Sequence, residues 1–283
     1  MAYPRYPLMA QALQDNVLLL TIRNSRRGNT DNFFVAKTMV DKDAVSSFDN
    51  VTFFPLYLYP ASHNEGLFSA ESETRSSAPG GRRPNLAPTF IAEMSAKLAL
   101  HFVEDGRGDL RETFGPEDVF DYLYAIFHAP TYRTRYAEFL KIDFPRLPLT
   151  SNVELFRTLC DLGGRLVALH VMEQVGTALP SYPVAGNNVV EKIEYRLPPD
   201  EPEHGRVYIN GTQYVDGVPP EVWEFHVGGY QVCQKWLKDR KGRALSYEDI
   251  SHYRRMVAAL SETITLMGQI DAAIEDHGGW PIL

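Results

Sequence analysis

Few residues of this sequence have the types and spacing of metal ligands. Two His-x-x-Glu pairs occur, His101 with Glu104 and His170 with Glu173, and this spacing places two ligands on one face of a helix. Neither pair has a third ligand at a spacing typical of metal sites, and the only two cysteines stand far apart. We therefore interpret both pairs as helix-surface pairs and predict neither a metal site nor a disulfide scaffold.

The sequence contains none of the common catalytic or nucleotide-binding motifs. It lacks the GxxxxGK(S/T) phosphate loop, GxGxxG, GxSxG, HExxH and the Asn-Pro-Pro-Tyr element that holds a flipped adenine. A chain of 283 residues is long enough to have contained one of them. We therefore predict no catalytic residues in this chain, and a free-standing enzyme with an unfamiliar site is the least favoured alternative.

Positive charge is concentrated in three short stretches of an acidic chain. The sequence has 28 Lys and Arg against 36 Asp and Glu, which gives a net charge of -8. The basic stretches are residues 23–27, 131–146 and 235–243. If they come together in the fold, they form a groove that contacts phosphates and base edges. The alternative is that each stretch is only a solvated surface.

The elements that must position these stretches are mixed in type. Short runs rich in β-formers predict strands at 17–22, 33–37 and 51–59, and Pro55 makes the last either an edge strand or a broken strand. A polar segment at 60–86 predicts a mobile loop. From residue 88 the apolar spacing becomes helical. It predicts helices at 88–103, from 116, at 151–176 and at 246–276, the last opening with a capping box.

A second β region is predicted at residues 189–227. It contains strand-like residues at 189–195 and a hairpin at 206–214 with Asn210 and Gly211 at its turn. The strands fall into two groups separated by helices, without regular βαβ alternation. The sequence therefore predicts an α+β fold, with mixed β regions, several packed helices and a long C-terminal helix.

An ordered set of motifs extends over nearly the whole chain. It includes NVLLLTIR at 16–23, FPLYLY at 54–59, FDYLYAIFHAPTYRTRY at 120–136, FPRLPL at 144–149 and GGYQVCQKWL at 228–237. In these motifs the chain resembles the C-terminal target-recognition region of type ISP restriction-modification enzymes, the single-polypeptide, Type I-like class. The resemblance implies one recognition region with a β-rich part at 1–87 and a helical and β part at 88–283.

The resemblance also implies a function. In that family one polypeptide joins a nuclease, an ATP-dependent translocase and an adenine-N6 methyltransferase, and the C-terminal region reads the DNA sequence. This chain lacks the upstream motifs, so we expect it to be a fragment that recognises double-stranded DNA beside the methyltransferase domain. S-adenosylmethionine, ATP and Mg are expected for the longer enzyme and no cofactor for this chain. The alternative is a scaffold domain that packs on the methyltransferase and contacts DNA little.

The site residues are predicted from the basic stretches. We expect base or backbone contacts from Arg23, Asn24, Arg26 and Arg27. We expect phosphate contacts from Tyr132, Arg133, Arg135, Lys235 and Lys238. No apolar run reaches the roughly 18 residues that a membrane span needs, and no signal peptide is recognisable, so we expect a cytoplasmic protein without a membrane partner.

Overall fold

The fold is α+β, as the sequence predicts. A computed structural model of the chain describes residues 9–26, 28–40, 49–60, 78–199 and 201–282. Helices alternate with small, mostly antiparallel sheets, and a helix of 30 residues lies near the C-terminus. Among the described residues, no helix combines the length and the apolar character that a membrane span requires.

The chain divides into two compact units. The first unit comprises Met1–Val167 and Ile270–Leu283, and the second comprises Ala168–Gln269. The division predicted at residues 87 and 88 therefore lies inside the first unit. The predicted mobile loop at 60–86 falls largely outside the described residues, which resume at residue 78.

A three-stranded antiparallel sheet supports the N-terminal part of the first unit. Its central strand is β1 (Leu18–Ile22), which pairs with β2 (Phe33–Ala36) and with β3 (Val51–Pro55). β3 ends at Pro55 and is an edge strand, one of the two alternatives that the proline predicts. The chain continues in β4 (Tyr57–Leu58), which pairs with β5 (Arg83–Pro84) after a short 3-10 turn.

Five helices follow in the described part of the first unit. They are α1 (Pro88–Leu98), α2 (Pro116–His128), α3 (Pro130–Arg135), α4 (Ala137–Leu140) and α5 (Val153–His170), which ends in the second unit. The helix predicted to reach residue 103 stops at Leu98, because Ala99 adopts a left-handed conformation. The next residues form β6 (His101–Phe102), which pairs in parallel with β7 (Thr113–Phe114). His101 and Glu104 therefore do not share a helix face, and that prediction is wrong.

Helices α2 and α5 pack closely enough to require a glycine. A Cβ atom added to Gly163 on α5 would lie 1.9 Å from the carbonyl oxygen of Asp121 on α2. The aromatic side chains around this contact are fully buried, among them Tyr122, Tyr124 and Phe156. Because the opposing atom belongs to the backbone, a side chain at position 163 forces the two helices apart.

We expect Gly163→Ala to destabilise the chain by about 3 kcal/mol, the upper end for overpacking a core. Gly268→Ala is the matched control, since Gly268 is an exposed helical glycine with no heavy atom within 4 Å of its added Cβ. That control should raise stability by about 0.5–1 kcal/mol through helix propensity. Urea unfolding measures both changes, and equal midpoints for the two variants would contradict the close helix contact.

The second unit is built around a three-stranded sheet. Its strands are β8 (Glu194–Arg196), β9 (Gly205–Tyr208) and β10 (Tyr214–Val218), with β9 in the centre. Short elements follow it along the chain, namely α6 (Pro220–Trp223), β11 (His226–Val227), β12 (Tyr230–Gln231) and α7 (Val232–Lys238). The core of this unit contains Val207, Ile209, Val215, Leu237 and Tyr253.

Two predicted features of the second unit are corrected. The strand-like residues at 189–195 form a strand only from Glu194, because the preceding residues hydrogen-bond to a loop instead. The hairpin does not close at a two-residue turn, since Tyr208 pairs with Tyr214 and five residues lie between them. The Asn210 carboxamide oxygen accepts the N–H groups of Thr212 and Gln213, which stabilises this wider loop.

Side-chain caps begin the two longest described helices. The Asn152 side chain accepts the N–H groups of Glu154 and Leu155 at the start of α5. The last helix, α8 (Tyr247–Asp276), opens with the reciprocal capping box of Ser246 and Asp249. α5 ends at His170, six residues before the predicted end, and the His170 Nε2 then meets the Thr263 hydroxyl.

Candidate nucleic-acid interface

The loop between β1 and β2 presents three of the predicted site residues on the surface. Ser25 is buried and its hydroxyl accepts the N–H of Asn29, while its carbonyl accepts the N–H of Gly28. These bonds close the loop tightly, and Gly28 adopts the left-handed conformation that the turn requires. Arg23, Asn24 and Arg26 remain exposed. Arg27 lies outside the described residues.

The same loop packs against the segment after α4. The Ser25 N–H donates to the Lys141 carbonyl at 3.1 Å, and Arg23 Nε is 3.0 Å from Asp143 Oδ1. We call the set Arg23, Asn24, Arg26, Lys141 and Arg146, of which all but the half-buried Lys141 are exposed, the basic loop surface. Two of the three basic stretches therefore lie in the same unit and share direct backbone and side-chain contacts.

A cleft of about 360 Å³ opens beside this loop. It is lined by Arg23, Asn24, Arg26, Asp49, Asn50 and Thr52. Asp49 is buried and its Oδ1 accepts the Arg26 backbone N–H at 3.1 Å, which fixes the loop against the start of β3. The cleft thus combines guanidinium donors with amide, hydroxyl and carboxylate groups. Sequence reasoning missed Asp49, Asn50 and Thr52, because no local pattern marks their contact with a loop 23 residues away.

The residues predicted on α3 have different environments. Tyr132 is buried, and its hydroxyl donates to the Arg146 carbonyl at 2.8 Å. Arg133 is half-buried, its Nε donates to the Phe127 carbonyl at 2.7 Å, and burial lowers the pKa of its guanidinium. Arg135 is exposed beside the Tyr136 ring. The side chains of Tyr132 and Arg133 therefore hold α3 against neighbouring backbone. Of these three residues, only Arg135 is exposed to solvent.

The third basic stretch lies in the second unit. Lys235 and Lys238 on α7 are exposed, as predicted. Lys235 Nζ is 2.6 Å from Asp239 Oδ1, and Lys238 Nζ donates to Gln234 Oε1 at 2.5 Å. DNA contact by these two lysines stays a prediction, as it does for every residue of the predicted set.

An acidic cluster in the first unit resembles a metal site in composition but contains an arginine. Asp118 and Asp121 are buried, and Arg107 forms ion pairs with Asp121, Asp118 and Glu117. Burial raises the pKa of Asp121 to about 7, against the opposing effect of the Arg107 charge. Within the described ranges, no group of three His, Cys, Asp or Glu residues is arranged to hold a metal ion. The carboxylates of this cluster are instead paired with Arg107.

Family membership is decided by a match to nearly the whole sequence. The family model of the type ISP C-terminal specificity domain matches residues 1–269. The chain belongs to this family. The resemblance that the sequence motifs indicate is thereby confirmed. No curated protein matches the sequence of this specificity domain.

Solved structures share the fold of the specificity domain at low sequence identity. The DrdV–DNA complex, determined by cryoEM, matches with a TM-score of 0.62 and 18% identity over 91% of this chain. The Type ISP enzyme LlaBIII bound to DNA matches with a TM-score of 0.58 and 16% identity over 95%. A nuclease-deletion mutant of LlaGI with a DNA substrate mimic gives 0.54 and 17% over 96%. The specificity domain spans only 25%, 16% and 23% of those chains, respectively.

Proposed function

We propose that this specificity domain recognises a short DNA sequence and that the basic loop surface meets the duplex. The observation that carries the proposal is the contact between the β1–β2 loop and the segment after α4. It gathers Arg23, Arg26, Lys141 and Arg146 on one unit of an otherwise acidic chain. Relatives of the same fold are described as bound to DNA, which supports a duplex as the partner.

The chemistry of the basic loop surface suits both kinds of DNA contact. Arginine forms bidentate hydrogen bonds with guanine edges and with phosphates, and asparagine does so with adenine. The ion pair between Arg23 and Asp143 is no obstacle, because both side chains are more than half exposed and such pairs contribute little stability. Arg23 can therefore exchange Asp143 for a phosphate at small cost.

Catalysis is proposed to belong to other parts of a longer polypeptide. A methyltransferase that flips an adenine needs a second DNA-binding domain, which determines the adenine that enters the active site. We assign that role to this domain, beside the methyltransferase domain. S-adenosylmethionine, ATP and Mg serve the other domains in this proposal, which places the enzyme in the cytoplasm with its DNA.

A specific observation favours the scaffold role as a second candidate. Phe139 and Ile142 are 61% and 65% exposed on the segment that carries Lys141. Large apolar side chains at this exposure suit contact with another protein domain. In that case the domain alone would bind DNA weakly.

Titration of a labelled duplex with the chain at several salt concentrations tests the proposal. If Arg23, Arg26 and Arg146 each contact a phosphate, they should contribute about −3 to the slope of log K against log salt, roughly 0.9 for each contact. The slope should be the same for duplexes of unrelated sequence, because phosphate contacts carry no sequence information. Binding that is absent at about 50 mM salt would contradict DNA recognition by this domain alone.

A further inference from the structure

Two exposed loops of the second unit are joined by a buried amide. Gln213 is fully buried, and its Nε2 donates to Asn188 Oδ1 at 2.7 Å and to the Val184 carbonyl at 3.1 Å. Its Oε1 accepts the Asn188 N–H at 2.8 Å. Gly186 fits only because it lacks a side chain, since an added Cβ would lie 2.5 Å from Gln213 Cδ. The loop at 183–188 is therefore held in one conformation against the loop at 209–213.

Asn187 is exposed at the end of this network, and its carboxamide orientation is determined by its partners. Its Oδ1 faces the Val189 backbone N–H at 3.0 Å and Asn210 Nδ2 at 3.4 Å, and both of these groups are donors. The atom that faces these two donors must therefore be the carboxamide oxygen, and Nδ2 is the atom that points away from them. Within the described part of the chain, Nδ2 has no hydrogen-bond acceptor.

Thr212 lies on the opposite side of the same Asn210 amide. Its hydroxyl donates to Asn210 Oδ1 at 3.3 Å, and its backbone N–H donates to the same oxygen at 3.1 Å. The residue is exposed. Because the hydroxyl proton is in use, the hydroxyl oxygen offers lone pairs to an outside donor. On one side of Asn210, Asn187 therefore presents a hydrogen-bond donor to solvent. On the other side, Thr212 presents an acceptor.

Two basic residues are attached to the same loops through the backbone. The Leu245 N–H donates to the Asn188 carbonyl at 2.9 Å, and the Val190 N–H donates to the Arg243 carbonyl at 3.0 Å. Gly242 donates to the Val190 carbonyl at 2.7 Å. Lys241 and Arg243 are exposed on either side of Gly242. We call the exposed set Asn187, Thr212, Lys241 and Arg243 the amide tip.

We infer that the amide tip is a DNA-reading surface of the second unit, with Asn187 donating to a base edge and Lys241 and Arg243 binding phosphates. The inference rests on the proposed function and adds a site to it. Because hydrogen bonds already fix the Asn187 carboxamide, it loses little conformational entropy when it binds a base. Such preorganisation favours recognition of the base. Flanking cations set the register on the duplex.

The chemistry of Asn187 restricts what it reads. An asparagine that recognises adenine needs a free oxygen for N6–H and a free nitrogen group for N7. Here the oxygen is occupied by Val189 and Asn210, so only the two N–H donors remain. Guanine presents two acceptors, N7 and O6, in the major groove. Two donors match the two acceptors of guanine best, so we expect Asn187 to prefer guanine at the position that it contacts.

Asn187→Asp tests the base contact. This variant keeps the oxygen that accepts the Val189 N–H and removes the Nδ2 donor. Asn152→Asp is the matched control, because Asn152 is also exposed and also uses Oδ1 to accept backbone N–H groups, in the first unit. Both variants add one negative charge and keep the side-chain oxygen that accepts the backbone N–H groups. Binding is measured to a duplex selected by the wild-type chain and to a scrambled duplex.

We expect Asn187→Asp to weaken binding to the selected duplex by about 5- to 150-fold and to remove the preference for guanine at one position. Binding to the scrambled duplex should weaken less, because the added charge repels any duplex whereas the lost donor affects only the selected one. The double variant Lys241→Ala/Arg243→Ala leaves the amide network intact. It should weaken binding to both duplexes and reduce the salt slope by about 2.

Three results would overturn the inference. Equal binding of Asn187→Asp and Asn152→Asp to the selected duplex removes Asn187 from the interface. An equal loss on both duplexes removes the base contact, because repulsion by the added charge then explains the whole effect. An unchanged salt slope in the double variant shows that Lys241 and Arg243 do not bind phosphates. If the wild-type chain itself binds no duplex, the proposed function fails, which is distinct from these results.

Discussion

Replacing both Arg23 and Arg26 with alanine should weaken duplex binding by at least roughly 30-fold. Each arginine contact to a base or phosphate contributes about 1 kcal/mol or more, and the two losses add when the contacts are independent. Both side chains line the cleft beside the β1–β2 loop, and neither is needed to close that loop. The loop is held by Ser25 and by the Arg26 backbone N–H, which alanine retains.

Arg111→Ala is the matched control for this double variant. Arg111 is an exposed arginine of the first unit that lies outside the basic loop surface. Its removal should change affinity by less than about 2-fold, since surface substitutions away from a site have small effects. Fluorescence anisotropy with a labelled duplex measures all three affinities, and circular dichroism checks the fold. Wild-type affinity in the folded double variant would remove the loop from the interface.

Arg107→Ala should destabilise the chain by about 1–3 kcal/mol, the cost of leaving a buried polar group without its partner, since Arg107 itself is 49% exposed. Its guanidinium contacts Asp121 and Asp118, whose side chains are each 2% exposed. Two N–H groups, from Gly108 and Gly115, still bond Asp118 in the variant, whereas Asp121 loses its side-chain partner. Arg111→Ala again serves as control, with an expected change within about 0.5 kcal/mol.

The pH dependence of this variant has a definite sign. A carboxyl whose folded pKa is raised contributes stability below its unfolded pKa and loses it as pH rises through the folded pKa. For the wild-type chain that loss is complete near pH 7, the pKa of Asp121. Without Arg107 the pKa rises further, so the stability deficit should grow above pH 7. Adding Asp121→Asn should reduce that growth, and a deficit independent of pH would contradict the ion-pair account.

Local patterns predicted the elements that hold the basic loop surface. β1, the polar loop after it and β2 follow from short apolar runs around a charged cluster. The starts of α5 and α8 follow from Asn152 and Ser246, because a cap is a contact within one turn. These features depend on neighbours in sequence, and so the sequence alone determines them.

Features that depend on distant contacts could not be predicted. The burial of Tyr132 depends on the Arg146 carbonyl and on ring contacts that include Trp280. The wide loop after β9 depends on Asn210, whose Nδ2 also donates to the distant Val189 carbonyl. Asp49 enters the cleft because β3 pairs with β1 on the edge opposite β2. None of these partners is marked by spacing along the chain.

Selection of bound duplexes from a randomised pool by the wild-type chain tests the central claim most directly. The selection is run at low and at moderate salt, because phosphate contacts weaken with salt whereas base contacts persist as a sequence bias. A domain that reads DNA through the basic loop surface should enrich a short, asymmetric motif at both salts. Binding that disappears with salt and enriches no motif, or no binding at all, would contradict target recognition by this domain.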